Sequence, residues 1–108
     1  MTEITVEELR DLRARGEKLL LLDVRQPWEH ELARLPEDRL IPLNELPARL
    51  EELGELDESQ LVICYCHHGI RSLNAAAFLE RNGVARVASL AGGIDAWSQL
   101  IDPAVARY

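Results

Sequence analysis

Only two cysteines, Cys64 and Cys66, occur in 108 residues, and they stand two positions apart in one apolar run. A disulfide between such near neighbours on an extended segment is geometrically poor, so the chain is expected to belong to a reducing, cytoplasmic compartment. Lysine is nearly absent, Lys18 being the sole example. With a formal net charge of -7, no basic stripe is available to neutralise phosphates, and no nucleic-acid partner is expected. No apolar run approaches the roughly 20 residues of a membrane span, so no membrane partner is expected either. The opening MTEITVEELR is polar and acidic, unlike a secretory signal. Repeats, low-complexity tracts and interdomain linkers are also lacking. What remains is a globular composition, 47% hydrophobic and 29% charged, of a length suited to one domain spanning 1–108.

Short apolar runs alternate with helical patterns. Ile4 can begin a short strand. Thr5 and Glu8 have capping-box spacing ahead of Val6, Leu9 and Leu12, and Gly16 stops that helix. LLLLDV, Leu19 to Val24, is a continuous apolar run, as expected for a strand covered on both faces. Pro27 suits the first turn of a helix through Leu32. RLIPL reads as a brief strand, and NELPARLEELG as a helix opened by Asn44 and closed by Gly54. LVICYC, Leu61 to Cys66, is the second long buried strand. Ser72 to Asn82 reads as a helix with Leu73, Ala76, Ala77 and Leu79 on its buried stripe. ARVASL makes a last short strand and GGIDAWSQL the final helix, with Pro103 starting the tail. Strands separated by helices imply crossovers and a mostly parallel α/β sheet, with chemistry beyond the carboxyl ends of the strands. Cys66 stands at such an end.

The segment ICYCHHGIRSLNAAAFLERNG crowds two cysteines, two histidines, a glycine and an arginine there. Cys64, Cys66, His67 and His68 are zinc-ligand types, yet adjacent histidines do not easily converge on one ion, and no second ligand pair at familiar spacing exists. His30 is the only other histidine. A nucleophilic cysteine is the stronger reading. Residues His67 to Arg71 must turn strand into helix, so their N–H groups can face one point, and the helix adds its positive end. Gly69 permits the turn, and Arg71 can close the ring with its fork of donors. Cys66 is then the nucleophile at the centre of an anion nest, with Ser72 opening the helix, while Cys64 is an inert buried thiol. His67 and His68 read as loop walls whose charge attracts anions.

At three separated places the sequence resembles the rhodanese family. CHHGIRS, Cys66 to Ser72, looks like its active-site loop. LLDVRQPWEHELARLP places Asp23, Arg25 and Glu29 at matching positions, and LAGGIDAW, Leu90 to Trp97, looks like its C-terminal signature. The resemblance implies a rhodanese-like α/β fold, with a five-stranded parallel sheet flanked by helices. It also implies thiosulfate sulfurtransferase activity. Cys66 is the implied persulfide carrier; His67, His68, Gly69, Ile70 and Arg71 form the substrate cradle; Asp23, Arg25 and Ser72 support it. The implied partners are a small-molecule sulfur donor and a thiophilic acceptor such as cyanide, a thiol or a protein, and no cofactor or metal is implied. Alternatives of the same fold are a sulfur relay, a regulatory docking module, and phosphatases or arsenate reductases. The last have a loop one residue longer than the Cys66–Arg71 spacing. Gly92 and Gly93 are expected to allow a tight start to the last helix, with Trp97 in the core. Where the family carries a Gly-His-Ile-Pro-Gly-Ala-like turn, this chain reads ARLPEDRLIPL, so that edge is expected to be reshaped.

Overall fold

The two longest apolar runs become neighbouring central strands. In a computed structural model, which describes residues 2–54 and 58–108, Leu19–Asp23 (β2) pairs in parallel with Leu61–Tyr65 (β4), Leu21 opposite Ile63 and Asp23 opposite Tyr65. Thr2–Ile4 (β1), Asp38–Leu40 (β3) and Val87–Leu90 (β5) complete a five-stranded sheet of order β1-β5-β4-β2-β3, parallel throughout. Ile4 therefore ends the first strand instead of beginning it.

Side-chain alternation divides the core into two layers, one on each face of the sheet. On one face Leu22, Val24, Val62, Cys64 and Cys66 meet Leu46 and Leu53, and also Ala75, Ala76 and Leu79 of α4 (Ile70–Arg81). On the other, Leu21, Ile63 and Tyr65 meet Val6 and Leu9 of α1 (Val6–Ala14), and Ile94 and Trp97 of α5 (Gly93–Leu100). The Thr5–Glu8 capping box forms as the spacing predicts, and Pro27 opens α2 (Pro27–Leu32). Among the described residues, no helix is long and apolar enough to cross a membrane.

Three sequence readings need correction. The segment expected as one helix from Asn44 to Gly54 is a 3-10 turn (Leu43–Glu45), a single α-turn named α3 (Leu46–Arg49), and another 3-10 turn (Leu50–Leu53). Pro47 explains the break, because it lacks an N–H and its ring clashes with the preceding turn. Asn44 makes no cap, since Pro42 precedes the first turn. Each central strand ends one residue early, so Val24 and Cys66 lie just past β2 and β4, although the Val24 N–H still donates to Tyr65 O at 3.0 Å. The buried stripe of α4 is Ser72, Ala75, Ala76 and Leu79, with Leu73 and Ala77 only half-buried. The helix starts at Ile70, and Ser72 turns inward to hydrogen-bond beneath the loop. That rotates the stripe away from a purely hydrophobic reading.

The rotation predicts unequal costs for two leucines of one helix. Leu79→Ala should lower stability by about 2–5 kcal/mol, and Leu73→Ala by roughly 1 kcal/mol or less. Urea-unfolding midpoints of the two variants check this, and equal losses would restore Leu73 to the core stripe.

Candidate active site

Cys66 follows the last residue of β4 and is 1% exposed. Its sulfur accepts the N–H of Gly69 at 3.1 Å and that of Ser72 at 3.3 Å. Ser72 Oγ lies 3.5 Å from the sulfur and shares a 2.7 Å hydrogen bond with Ser89 Oγ of β5. Gly69 caps α4 with φ of +107°, a conformation that disfavours any side chain. The sulfur thus sits at the positive end of a twelve-residue helix and against two oriented N–H groups.

The loop's carbonyls explain why its N–H groups can face the sulfur. Cys66 O accepts from Ile94 N–H at 2.9 Å, and His67 O from Asp95 N–H at 3.1 Å. The first turn of α5 therefore holds the acceptor edge of the loop and leaves the donor edge for Cys66. Gly93 allows this approach: a β-carbon there would lie 2.4 Å from Cys66 O and 2.5 Å from His67 O, far inside contact distance. The glycine pair that the sequence marks as a tight helix start is equally the seat of the loop.

Arg71, expected to close the ring around an anion, is itself held in place. Its fork binds Glu29, Nη1 to Oε1 at 2.6 Å and Nη2 to Oε2 at 2.9 Å. Two of the five guanidinium N–H groups are used, which leaves three. Burial works against the Glu29 charge, but hydrogen bonds from Arg71, Tyr108 and the Gln26 N–H outweigh it and bring the carboxyl down to about 2. The hydrogen bond to Glu29 likewise raises the Arg71 pKa, and a negative charge on Cys66 adds to the effect.

Asp23 and Arg25 lie beneath this pair. Both are fully buried, and Asp23 takes Arg25 Nε and Nη2 on its two oxygens at 2.9 and 2.8 Å. Burial opposes the guanidinium charge; Asp23 and Tyr108 more than offset it, and the Arg25 pKa ends above its ordinary value. Among the described residues, the one group of metal-ligand types whose ligand atoms come together is Asp23, His30 and Asp38. Asp23 is committed to Arg25 there, and Asp38 accepts the Tyr65 hydroxyl. Cys64, Cys66, His67 and His68 do not converge.

The two cysteines share one face but not one environment. Burial, then the neighbouring Cys66, push the Cys64 thiol up to about 12, which leaves it protonated and slow to react. His67 is half-buried, stacked between His68 and Tyr108 with ring centroids 3.9 Å from each. Burial first, then His68, lower its pKa, which works against the positive charge expected on this wall. Ile70 is 73% and Trp28 61% exposed. They follow Gly69 and precede Glu29 in the chain, which puts an apolar rim beside the charged pair. Two contributors escaped the sequence reading. Ser89 carries no motif, and Tyr108 lies in a tail without periodicity, IDPAVARY, where only its aromatic character marks it.

The depressed Glu29 carboxyl has a pH consequence. A folded-state pKa below the ordinary 4.5 contributes stability that is present above that value and is lost as pH falls towards about 2. Glu29→Gln should therefore cost about 2 kcal/mol at neutral pH, and the gap to wild type should close on acidification through that window. Unfolding midpoints against pH measure it; a gap independent of pH would show that the carboxylate charge is not what holds Arg71.

Comparison with known proteins agrees with this geometry. The family model of the rhodanese-like domain matches residues 5–100. A sulfurtransferase of Allochromatium vinosum is 36% identical over 106 residues, covering 98% of this chain and 96% of the relative. The probable adenylyltransferase/sulfurtransferase MoeZ of Mycobacterium tuberculosis is 35% identical over 97% of this chain, which spans only 26% of that protein's length. Among solved structures, the human single-domain sulfurtransferase TSTD1 superposes with a TM-score of 0.77 at 26% identity, over 93% of this chain and 97% of that one. The chain belongs to the rhodanese-like domain family, among relatives named for sulfur transfer.

Proposed function

We propose that the protein is a sulfurtransferase of the thiosulfate type, in which Cys66 carries sulfane sulfur as a persulfide. The observation that carries this reading is the pair of N–H donors, from Gly69 and Ser72, on the Cys66 sulfur at the start of α4. Such donors stabilise negative charge on sulfur, whether thiolate or persulfide. In the first half-reaction the Cys66 thiolate attacks the outer sulfur of thiosulfate. A new S–S bond forms, the donor's S–S bond breaks, and sulfite leaves with the electron pair. In the second, a thiophilic acceptor attacks the outer sulfur of the persulfide, and the thiolate of Cys66 returns.

The cradle is His67 to Arg71. The three Arg71 N–H groups not used by Glu29 face the oxyanion end of the donor, and the Gly69 and Ser72 N–H groups serve the sulfur. His67, stacked between His68 and Tyr108, is a wall of the loop. Nothing in the two steps needs a metal or cofactor. The exposed Trp28 and Ile70 beside the loop favour a protein or thiol acceptor in the cell, with cyanide as an assay acceptor. The same rim suits a sulfur relay to a protein partner. A phosphatase role is disfavoured by the five-position spacing from Cys66 to Arg71, which sizes the loop for sulfur. The acidic surface suits a cytoplasmic protein acting as one domain.

Thiosulfate should add a single sulfur atom to the wild type, seen by intact-protein mass measurement, and cyanide should remove it. Cys66→Ser should abolish adduct and turnover, Cys64→Ser should keep both, and an aryl phosphate should stay nearly untouched. An adduct that depends on Cys64, or comparable turnover of the phosphate ester, would defeat the proposal. Arg71→Ala should raise KM for thiosulfate about ten- to hundred-fold, the equivalent of roughly 1.5–3 kcal/mol for a charge-assisted hydrogen bond.

A further inference from the structure

The tail that follows α5 turns back to the site. Ser98 Oγ donates to Val105 O at 2.6 Å and the Val105 N–H to Asp102 O at 3.1 Å, while Arg107 reaches Asp95 at 3.0 Å. These contacts deliver Tyr108 to the loop. Its ring lies flat on His67, 7° from parallel, and edge-on to Trp28 at 5.9 Å. Its hydroxyl accepts from Arg25 Nη1 at 2.8 Å and donates to Glu29 Oε2 at 2.6 Å. Glu29 Oε2 is also the oxygen that takes Arg71 Nη2. Because the hydroxyl proton is directed by the Arg25 donor on the other side, the hydroxyl can act towards Glu29 only as a donor.

We propose that Tyr108 is a positioning residue for anions at the Cys66 loop, its Arg25-anchored hydroxyl fixing the Glu29 carboxylate that aims Arg71. Glu29 has two duties, to neutralise Arg71 and to orient it. Without the tyrosine proton, the Oε2 lone pairs turn to Arg71 alone and the fork is free to rock about the Oε1 contact. The three remaining Arg71 donors then lose their fixed direction towards the loop. Loss of a hydroxyl at one position thus becomes loss of anion preference at another. The Tyr108 ring, by contrast, packs on His67 and Trp28 and beneath the Arg25 charge, so removing the hydroxyl and keeping the ring isolates the effect.

The identity of the anion, thiosulfate, rests on the sulfur-transfer reading, so the test uses alkylation, which involves no sulfur donor. Rates of Cys66 alkylation by anionic iodoacetate and neutral iodoacetamide are measured in full-length wild type, Tyr108→Phe, Arg71→Ala and the double variant, with the modified cysteine identified by peptide mass. The iodoacetate-to-iodoacetamide ratio should fall about three- to ten-fold in Tyr108→Phe. In the Arg71→Ala background the tyrosine change should have no further effect, since its influence runs through that arginine. A ratio unchanged in Tyr108→Phe, an equal acceleration of both reagents, or additive losses in the double variant would overturn the assignment and leave Tyr108 as a cover. A sulfur that neither reagent reaches would overturn it as well, because the tail would then seal the loop instead of tuning it. In parallel, Tyr108→Phe should raise KM for thiosulfate with little change in kcat. Failure of the wild type to take up sulfur would count against the sulfur-transfer proposal, while the alkylation ratio would still decide the role of Tyr108.

Discussion

The guanidinium of Arg25 is the point on which the site depends. It is fully buried, and every N–H it has is used: Nε and Nη2 on Asp23, Nη2 also on Ala33 O at 2.6 Å, and Nη1 on Tyr108 Oη and, at 3.4 Å, on Glu29 O. Its charge also lies over the rings of Tyr65 and Tyr108. An isolated buried charge would be costly, and burial alone would expel it. Here one residue ties the end of β2, both ends of α2 and the returning tail to a single plane. Asp23 is available for that task because β2 ends at it, with the carboxylate free to turn back on the Arg25 backbone N–H at 3.0 Å as well. A lysine could not replace the arginine, having three donors and no plane.

From this anchor, order is handed outward in steps. Arg25 fixes the Tyr108 hydroxyl and the carbonyl of Glu29; Tyr108 and the Gln26 N–H fix the Glu29 carboxylate; Glu29 fixes Arg71. Independently, α5 holds the loop's carbonyls and so turns its N–H groups to Cys66. The two systems meet at the sulfur from opposite causes, one from packed charge and one from backbone geometry. Neither requires Cys66 itself to be strained. The sulfur occupies a place that the surrounding N–H groups define before any substrate arrives, and such preorganisation is what makes oriented donors effective towards developing charge.

Much of this was legible in the residues, for reasons that differ by element. The β2 and β4 runs are apolar on both faces, so a strand covered by helices on each side was the simplest reading. The α1 cap and the start of α2 carry their own local signals in Thr5, Glu8 and Pro27. Those signals are short-range, and the structure keeps them. The errors arose where local and tertiary demands compete. Leu43 to Leu53 has helical periodicity, but Pro47 interrupts it. In α4, Ser72 takes a buried place that hydrophobicity assigns to Leu73, because its hydroxyl bonds Ser89 across the layer. The pairing of Glu29 with Arg71 spans 42 positions and that of Tyr108 with Arg25 spans 83. No local pattern announces contacts of that range; only the fold brings them together.

The edge between α2 and β3 is closed by side chains. Between α2 and β3 the chain has neither glycine nor histidine, and Glu37 accepts a left-handed φ of +60°, a conformation that a residue with a β-carbon adopts at a cost. Side chains supply what the turn lacks. The Tyr65 hydroxyl accepts the Leu35 N–H at 3.2 Å and donates to Asp38. His30, one turn along α2 from Gln26, meets Asp23 at 2.9 Å and Asp38 at 3.5 Å. Burial raises the Asp38 pKa, with the Tyr65 hydrogen bond and His30 acting in the other direction. The edge is therefore closed by the same Asp23 that anchors Arg25. His30 on α2 thereby joins β3 to the carboxylate beneath the site. The sheet edge and the Cys66 loop therefore answer to one buried pair.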